Sequence, residues 1–204
     1  MKTRNKALLL SLCAVLLVAT SVLGTMAYLT STDSVENTFT VGSVAITLDE
    51  QDVDDSNRDG STNDRDQVNT YHLLPGHTYT KDPIIHVDEN SEDCWVFVKV
   101  ENGIASYEAS DSAYTPITRQ IVANDWTALD GVSNVYYKEY TKGQSDRDLE
   151  VFAEFRIDGN ANNVDGWSDI SADTTKINVT GYAVQKDGFN TAADAWNATF
   201  GASN

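Results

Sequence analysis

The residues best suited to chemistry lie in one acidic stretch, residues 49–66. Within it, Asp55, Asn57, Asp59, Gly60 and Asp66 occupy positions 1, 3, 5, 6 and 12 of a calcium-loop pattern. Alternate oxygen side chains can wrap a hard cation, and the glycine permits a sharp turn. Position 12 carries Asp instead of the usual Glu, and no helical pattern flanks the stretch. Two alternatives follow: calcium binding by Asp55, Asn57, Asp59 and Asp66, or a solvated acidic loop.

Histidine and cysteine spacing gives little support for catalysis. The histidines are His72, His77 and His86, and none belongs to the His-Glu-x-x-His motif of helical zinc sites. Cys94 lies in an apolar run, where a thiol usually serves as a small core side chain. The sequence has no Gly-x-Ser-x-Gly elbow, phosphate loop or dinucleotide fingerprint. We therefore expect a protein that is not an enzyme, with no catalytic residue and calcium as the one candidate cofactor.

The elements that must position these residues are strands, because apolar and polar residues alternate along most of the chain. From 94 to 100, Cys94, Val96, Val98 and Val100 share one face and Trp95, Phe97 and Lys99 share the other. From 149 to 157, the alternation places Ala153 and Phe155 on the inner face. The same pattern predicts strands at 37–48, 70–74, 77–87, 117–122, 134–141 and 175–186.

Turn residues separate the predicted strands. Pro75-Gly76 fits a type II turn, and Lys142-Gly143 and Asp158-Gly159 fit hairpin or loop turns. Only residues 191–200 have the pattern of a short helix. Many short strands without alternating helices predict an all-β fold, a jelly-roll-like or Ig-like antiparallel β-sandwich with a short C-terminal helix.

The alternation slips by one residue at Gly42-Ser43. Before the slip the apolar positions are Phe39 and Val41, and after it they are Val44, Ile46 and Leu48. A glycine at such a slip indicates a bulge in one strand, or a bend at which the chain leaves one sheet and joins another sheet or another molecule. Residues 28–48, with Phe39, Val41 and Gly42, are therefore a candidate donor strand.

The beginning of the sequence has the layout of a secretory signal peptide. Lys2, Arg4 and Lys6 precede an apolar run from residue 7 to residue 23, and Thr25 and Ala27 are small residues at a cleavage site. We expect cleavage between Ala27 and Tyr28, which leaves residues 28–204 as a single β domain outside the cell. An uncleaved membrane anchor is the alternative.

The charge is strongly acidic, at −17 for the full chain. Loss of three basic residues with the signal would make the secreted part more acidic still. Such a surface repels nucleic acid and anionic lipid. We expect no nucleic-acid partner, and contact with membrane only through the signal peptide before cleavage.

Three segments resemble the TasA/camelysin family of Gram-positive surface proteins. They are the signal and the start of the secreted part (24–42), the segment 71–83 with the pattern Leu-x-Pro-Gly-x-x-x-x-Lys from Leu73 to Lys81, and the strand at 93–102. The first segment is similar to signals cut by a SipW-type signal peptidase.

This resemblance implies a jelly-roll-like protein of the cell surface or biofilm matrix. It also implies assembly into fibres, in which the N-terminal strand of one subunit completes the sheet of the next. The leading hypothesis is thus a secreted structural protein that self-assembles, with signal peptidase as a partner during export. A calcium-dependent surface binding module is the alternative. A camelysin-like metallopeptidase is disfavoured because the zinc motif is missing.

Overall fold

The structure is a computed structural model that describes residues 43–54, 64–170 and 175–201, together with Asn5, Lys6, Cys13, Val15 and Leu16. The chain divides into two units, Met1–Thr40 and Val41–Asn204. The named strands and helices below belong to the second unit. In chain order the strands are β1 (Ile46–Gln51), β2 (Arg65–Asp66), β3 (Thr78–Thr80), β4 (Ile84–Val87), β5 (Cys94–Asn102), β6 (Thr127–Ala128), β7 (Val135–Tyr140), β8 (Asp148–Glu150), β9 (Glu154–Arg156) and β10 (Ile177–Gln185). The helices are α1 (Ile117–Ala123) and α2 (Ala192–Phe200).

The described strands pair antiparallel in three sheets. The first sheet has the order β2-β1-β4-β8, the second has the order β10-β5-β7-β6, and β3 pairs with β9. The register of the second sheet sets Gly181 opposite Val98, and Val98 opposite Tyr136. The predicted antiparallel β fold with a short C-terminal helix is confirmed at this level.

Strand β5 has apolar residues on both faces because both faces are covered. Val96 and Val98 are fully buried against residues of the first sheet, among them Ile85. Trp95 and Phe97, on the opposite face, pack in a second cluster with Ala192 and Ala195 of α2. The predicted division of residues between the two faces of this strand is confirmed. Its almost unbroken apolar run is typical of a strand with layers on both sides.

Helix α2 begins where the sequence predicts a helix. Its N-cap is Thr191, whose hydroxyl accepts a hydrogen bond from the Asp194 amide at 3.1 Å. The same hydroxyl donates to the Asp194 carboxylate at 2.8 Å. This pair of contacts satisfies a helix-terminal N–H group that would otherwise lack a partner. Trp196 then lies 5.1 Å from Phe97, ring centre to ring centre.

The strand predicted at 117–122 is wrong, because these residues form α1. Ile117 and Ile121 are four residues apart, so a helix directs both side chains into the core, and both are fully buried. Pro116 precedes the helix, and the Glu108 carboxylate accepts the Ile117 amide at 2.8 Å. The capping residue is distant in sequence, and so local spacing does not reveal it.

The strand predicted across 149–157 is also wrong in its middle. It divides into β8 and β9, which belong to different sheets. Phe152 is fully buried and Ala153 is exposed, the reverse of the predicted alternation. Gln120 of α1 makes this break possible, since its side-chain carbonyl accepts the Ala153 amide at 3.0 Å. Its amide group donates to the Glu154 carbonyl at 2.9 Å.

Four smaller predictions have mixed outcomes. Residues 70–74 are not a strand, and the strand predicted at 77–87 is interrupted between β3 and β4, where Pro83 has no N–H to donate. The turn at Pro75-Gly76 is confirmed, with Gly76 at φ +79° and the His77 amide donating to the Leu74 carbonyl at 3.2 Å. The acidic stretch is strand at both ends, in β1 and β2.

A buried ion pair joins β1 to the segment between β3 and β4. The Lys81 ammonium lies 2.5 Å from the Glu50 carboxylate, and the two side chains are only 10% and 7% exposed. Two charges at this depth have lost most of their hydration, so each one depends on the other.

We predict that Lys81→Met lowers the free energy of unfolding by about 3 kcal/mol, because it leaves the Glu50 charge buried without its partner. Chemical denaturation measures the effect. The control is Lys142→Met, which removes the exposed pair with Glu92 and should cost about 1 kcal/mol or less. Equal effects of the two substitutions would show that the buried pair contributes no more to the free energy of unfolding than the exposed pair does. The double variant Glu50→Leu/Lys81→Met should be more stable than Lys81→Met alone.

Candidate functional site

The longest open strand edge among the described residues belongs to β10. This strand spans nine residues and lies at the end of its sheet, with β5 as its one described neighbour. The Lys176 carbonyl accepts the Gly103 amide at 2.8 Å, and the Lys186 amide donates to the Asp93 carbonyl at 2.8 Å. In an antiparallel ladder such bonds recur at every second residue. The even-numbered residues of β10 therefore bond to β5, and the odd-numbered residues direct their N–H and C=O groups outward.

Half-buried apolar side chains accompany this edge. Four of these side chains pack on the main core and remain partly exposed: Ile177 and Val179 of β10, Ile46 of β1, and Val44 just before β1. Gly181 brings the two sheets close at this point, because a Cβ atom there would lie 3.2 Å from Cδ1 of Ile85. The edge thus combines backbone groups that can extend a sheet with apolar surface that a further strand would cover.

A network of charged residues holds the two ends of the acidic loop together. Arg65 of β2 pairs with Asp49 of β1, and its Nη1 lies 2.9 Å from Oδ2 of Asp82. The Asp52 amide donates to the Asp64 carbonyl at 2.9 Å. These bonds close the base of the loop on the first sheet, whatever the loop binds.

His86 joins three strands of the first sheet. It lies on β4, with Nε2 3.0 Å from Asp49 on β1 and Nδ1 2.7 Å from Asp148 on β8. Partial burial opposes a charge on the imidazole, but hydrogen bonds to Asp148 and Asp49 outweigh it and raise the pKa of His86 above 6.5. Burial likewise opposes ionisation of Asp49, and its bonds with Arg65 and His86 outweigh burial and lower its pKa. Only the imidazolium can donate to both carboxylates at once.

Most of the predicted site residues lie outside the described part of the chain. This holds for Asp55, Asn57 and Asp59 of the calcium pattern, for the cleavage pair Ala27 and Tyr28, and for Phe39, Val41 and Gly42 of the donor strand. Asp66 is described: it lies in β2, and its carboxylate accepts the Val68 amide at 3.1 Å. Across the described residues, no three His, Cys, Asp or Glu side chains are grouped to hold a metal ion.

Cys94, His72 and His77 lie where a core thiol and two loop histidines are expected. Cys94 is fully buried, as predicted for a core side chain, and burial raises the pKa of its thiol to about 12. His72 and His77 are exposed on either side of the Pro75-Gly76 turn. His86 differs from them, and sequence spacing gave no signal for it. Its carboxylate partners are 37 and 62 residues away and become neighbours only through the strand register.

No protein-family model, curated protein or solved structure matches this chain. Within its described residues, no helix is both long enough and apolar enough to cross a membrane. The described residues form three antiparallel sheets, with a helix on the outer face of the sheet that contains β10 and with no second neighbour for β10 among the described strands.

We predict that part of the stability of the first sheet depends on pH through His86. Because its pKa is raised in the folded state, its contribution is complete below pH 6.5 and is lost as pH rises through the folded pKa. The melting temperature of the wild-type chain should therefore fall, relative to that of His86→Gln, as pH rises above about 6.5. His72→Gln, at an exposed loop position, is the control and should follow the wild type. Parallel pH profiles for the wild type and His86→Gln would contradict this role.

Proposed function

We propose that this chain is a secreted structural protein of the cell surface or extracellular matrix, and that it assembles into fibres by strand donation. The observation that carries the proposal is the nine-residue edge of β10, where alternate backbone groups face outward with no partner among the described residues. Exposed edges of this length invite pairing with another chain, and proteins usually block them. The open edge of β10 therefore supports a role in pairing with a strand of another chain.

The donor would be residues 28–41 of a second copy. The signal-like beginning of the chain would expose this segment at its new N-terminus after cleavage at Ala27-Tyr28. Backbone hydrogen bonds to the odd-numbered residues of β10 would supply affinity, as in other strand-addition complexes. Phe39 and Val41 would cover the half-buried Ile177 and Val179.

Such a contact propagates because its two surfaces differ. The donor is at the N-terminus and the acceptor is an edge strand near the C-terminus, so each added copy presents a new acceptor. The resemblance to the TasA/camelysin family points to the same behaviour, and the two four-stranded sheets are compatible with a jelly-roll-like or Ig-like sandwich. Before cleavage the signal would hold the donor at the membrane, which would link assembly to export.

Two variants test the donor and the acceptor separately. We predict that the secreted form lacking residues 28–41 folds but forms no fibres in negative-stain images. The variant Val179→Pro/Ala183→Pro should fail in the same way, because it removes outward N–H groups and leaves the ladder to β5 intact. The matched control Val179→Ile/Ala183→Val keeps these N–H groups and should form fibres.

Circular dichroism and thermal melting first establish that each variant is folded. A folded deletion variant that forms fibres like the full secreted form would contradict donation by residues 28–41. A folded proline variant that forms fibres normally would contradict β10 as the acceptor.

Calcium binding is the second candidate function, and one observation favours it. The bonds from Arg65 to Asp49 and Asp82 hold the two flanks of the calcium pattern together, so less of the cost of bringing its ends together remains when an ion binds. If Asp55, Asn57, Asp59 and Asp66 bind calcium, the dissociation constant should be about 10⁻⁴–10⁻³ M, as in other extracellular modules.

Calcium at several millimolar should then raise the melting temperature by mass action. The variant Asp55→Asn/Asp59→Asn should abolish this shift, and magnesium at the same concentration is the control for ionic strength. Absence of both heat and thermal shift on calcium titration would leave the solvated-loop alternative.

A further inference from the structure

A cleft opens on the opposite edge of the second sheet. It lies beyond the N-terminal end of β6, beside the last residues of β7. Its volume is about 470 Å³, within the range of small-molecule sites. Strand β6 pairs with Tyr136 and Tyr137, so the outer side of β7 faces the cleft from residue 138 onward. The lining comes from β5, β7, the residues between α1 and β6, and the β7–β8 turn; it includes Trp95, Asp125, Tyr137, Lys138, Glu139 and Asp146.

The hydrogen-bond pattern leaves one backbone position open in the cleft. The Leu129 amide donates to the Val135 carbonyl at 2.9 Å, so odd-numbered residues of β7 face β6. Tyr137 is the last odd-numbered residue of β7 that pairs with β6. Glu139, two residues further, directs its N–H and C=O groups into the cleft.

Trp95 supplies a buried donor that lacks an acceptor. The residue is 7% exposed and lines the cleft, and its indole N–H has no hydrogen-bond partner in the described structure. Native structures rarely leave a buried donor unsatisfied, because its desolvation is costly. This N–H is closed off from solvent, so a ligand in the cleft meets the Trp95 ring and not its N–H group.

Charged side chains complete the lining. Burial lowers the pKa of Lys138, against the opposing effect of Asp125, Asp146 and Glu150. The Lys138 ammonium lies 5.1 Å from the ring centre of Trp126. Glu139 is paired with Lys186, whereas Asp125 and Asp146 show no direct ion pair among the described residues. The balance is acidic, which disfavours anionic ligands.

These groups require a ligand that both donates and accepts hydrogen bonds over a short distance. We propose that the cleft binds a short neutral or amino saccharide. Sugar hydroxyls can accept from the Glu139 amide, and they can donate to the carboxylates of Asp125 and Asp146. The Trp95 and Tyr137 rings offer an apolar wall beside these polar groups. A peptide strand fits less well, because one open strand position cannot anchor an extended chain. This site does not depend on fibre assembly.

Nuclear magnetic resonance of the full secreted chain tests the proposal, since the indole N–H of Trp95 gives its own signal. The probes are the N-acetylglucosamine tetramer, its deacetylated cationic form, and the galacturonic acid tetramer, which is anionic. We expect either of the first two to shift the Trp95 indole and Glu139 amide signals at millimolar concentration. The anionic tetramer should leave both signals in place.

Substitutions in the lining should weaken the response. Asp125→Asn/Asp146→Asn removes two charged acceptors and should raise the dissociation constant about tenfold or more. Asp187→Asn, an exposed carboxylate outside the cleft, is the matched control and should not change binding.

Three outcomes would overturn the proposal. The first is no shift of either signal with any saccharide. The second is a response that the Asp125→Asn/Asp146→Asn variant, checked for folding by its melting temperature, leaves unchanged. The third is a shift produced by spermine and by neither saccharide, which would identify a general cation site.

Discussion

The burial of β5 on both faces is the constraint on which the rest of the structure depends. One face of this strand packs on the first sheet and the other on α2, so two apolar clusters meet across a single backbone. Every second residue must then point into each cluster, which fixes the register of β10 and of β7 on either side. Because β5 takes hydrogen bonds from both neighbours, the open groups of the sheet are displaced to its two edges. One edge is the long outer side of β10. The other is the short outer side of β7 that β6 leaves uncovered beyond Tyr137. The proposed strand acceptor and the proposed saccharide cleft are consequences of the same arrangement.

Polar groups have a different role, which is to fix the register of the strands in the first sheet. Apolar contacts alone would allow these strands to slide past one another. Lys81 and Glu50 form a buried pair, Arg65 joins Asp49 to Asp82, and His86 bridges Asp49 and Asp148. A buried pair adds little net stability over an apolar pair of the same size. It does penalise any arrangement that separates the two charges. The base of the acidic loop and the beginning of the first sheet, which directly follows the proposed donor segment, are therefore held in one register.

The sequence predicts features that depend on local periodicity and fails where a distant residue decides the structure. The two faces of β5, the N-terminal boundary of α2 and the Pro75-Gly76 turn follow from alternation, capping and turn chemistry, and the structure confirms them. Helix α1 and the break between β8 and β9 do not follow, because Glu108 and Gln120 satisfy their backbone groups from elsewhere in the chain. The partners of His86 and the contents of the cleft likewise depend on strand register, which spacing along the chain does not encode. Phe39, Val41 and the calcium-pattern residues other than Asp66 lie outside the described residues, so the predictions for them stay predictions.

Hydrogen–deuterium exchange on β10 tests the central claim most directly, because the fold assigns opposite behaviour to neighbouring amides. Even-numbered residues of β10 bond to β5, so their amides should exchange slowly in both the single subunit and the assembled protein. Odd-numbered residues face outward, so their amides should exchange fast in the single subunit and slowly once a donor strand has paired with them. Comparison of the chain that begins at Tyr28 before and after assembly, residue by residue from 177 to 185, should show protection gained at odd positions alone. Odd-numbered amides that still exchange fast in assembled material would contradict strand donation to this edge.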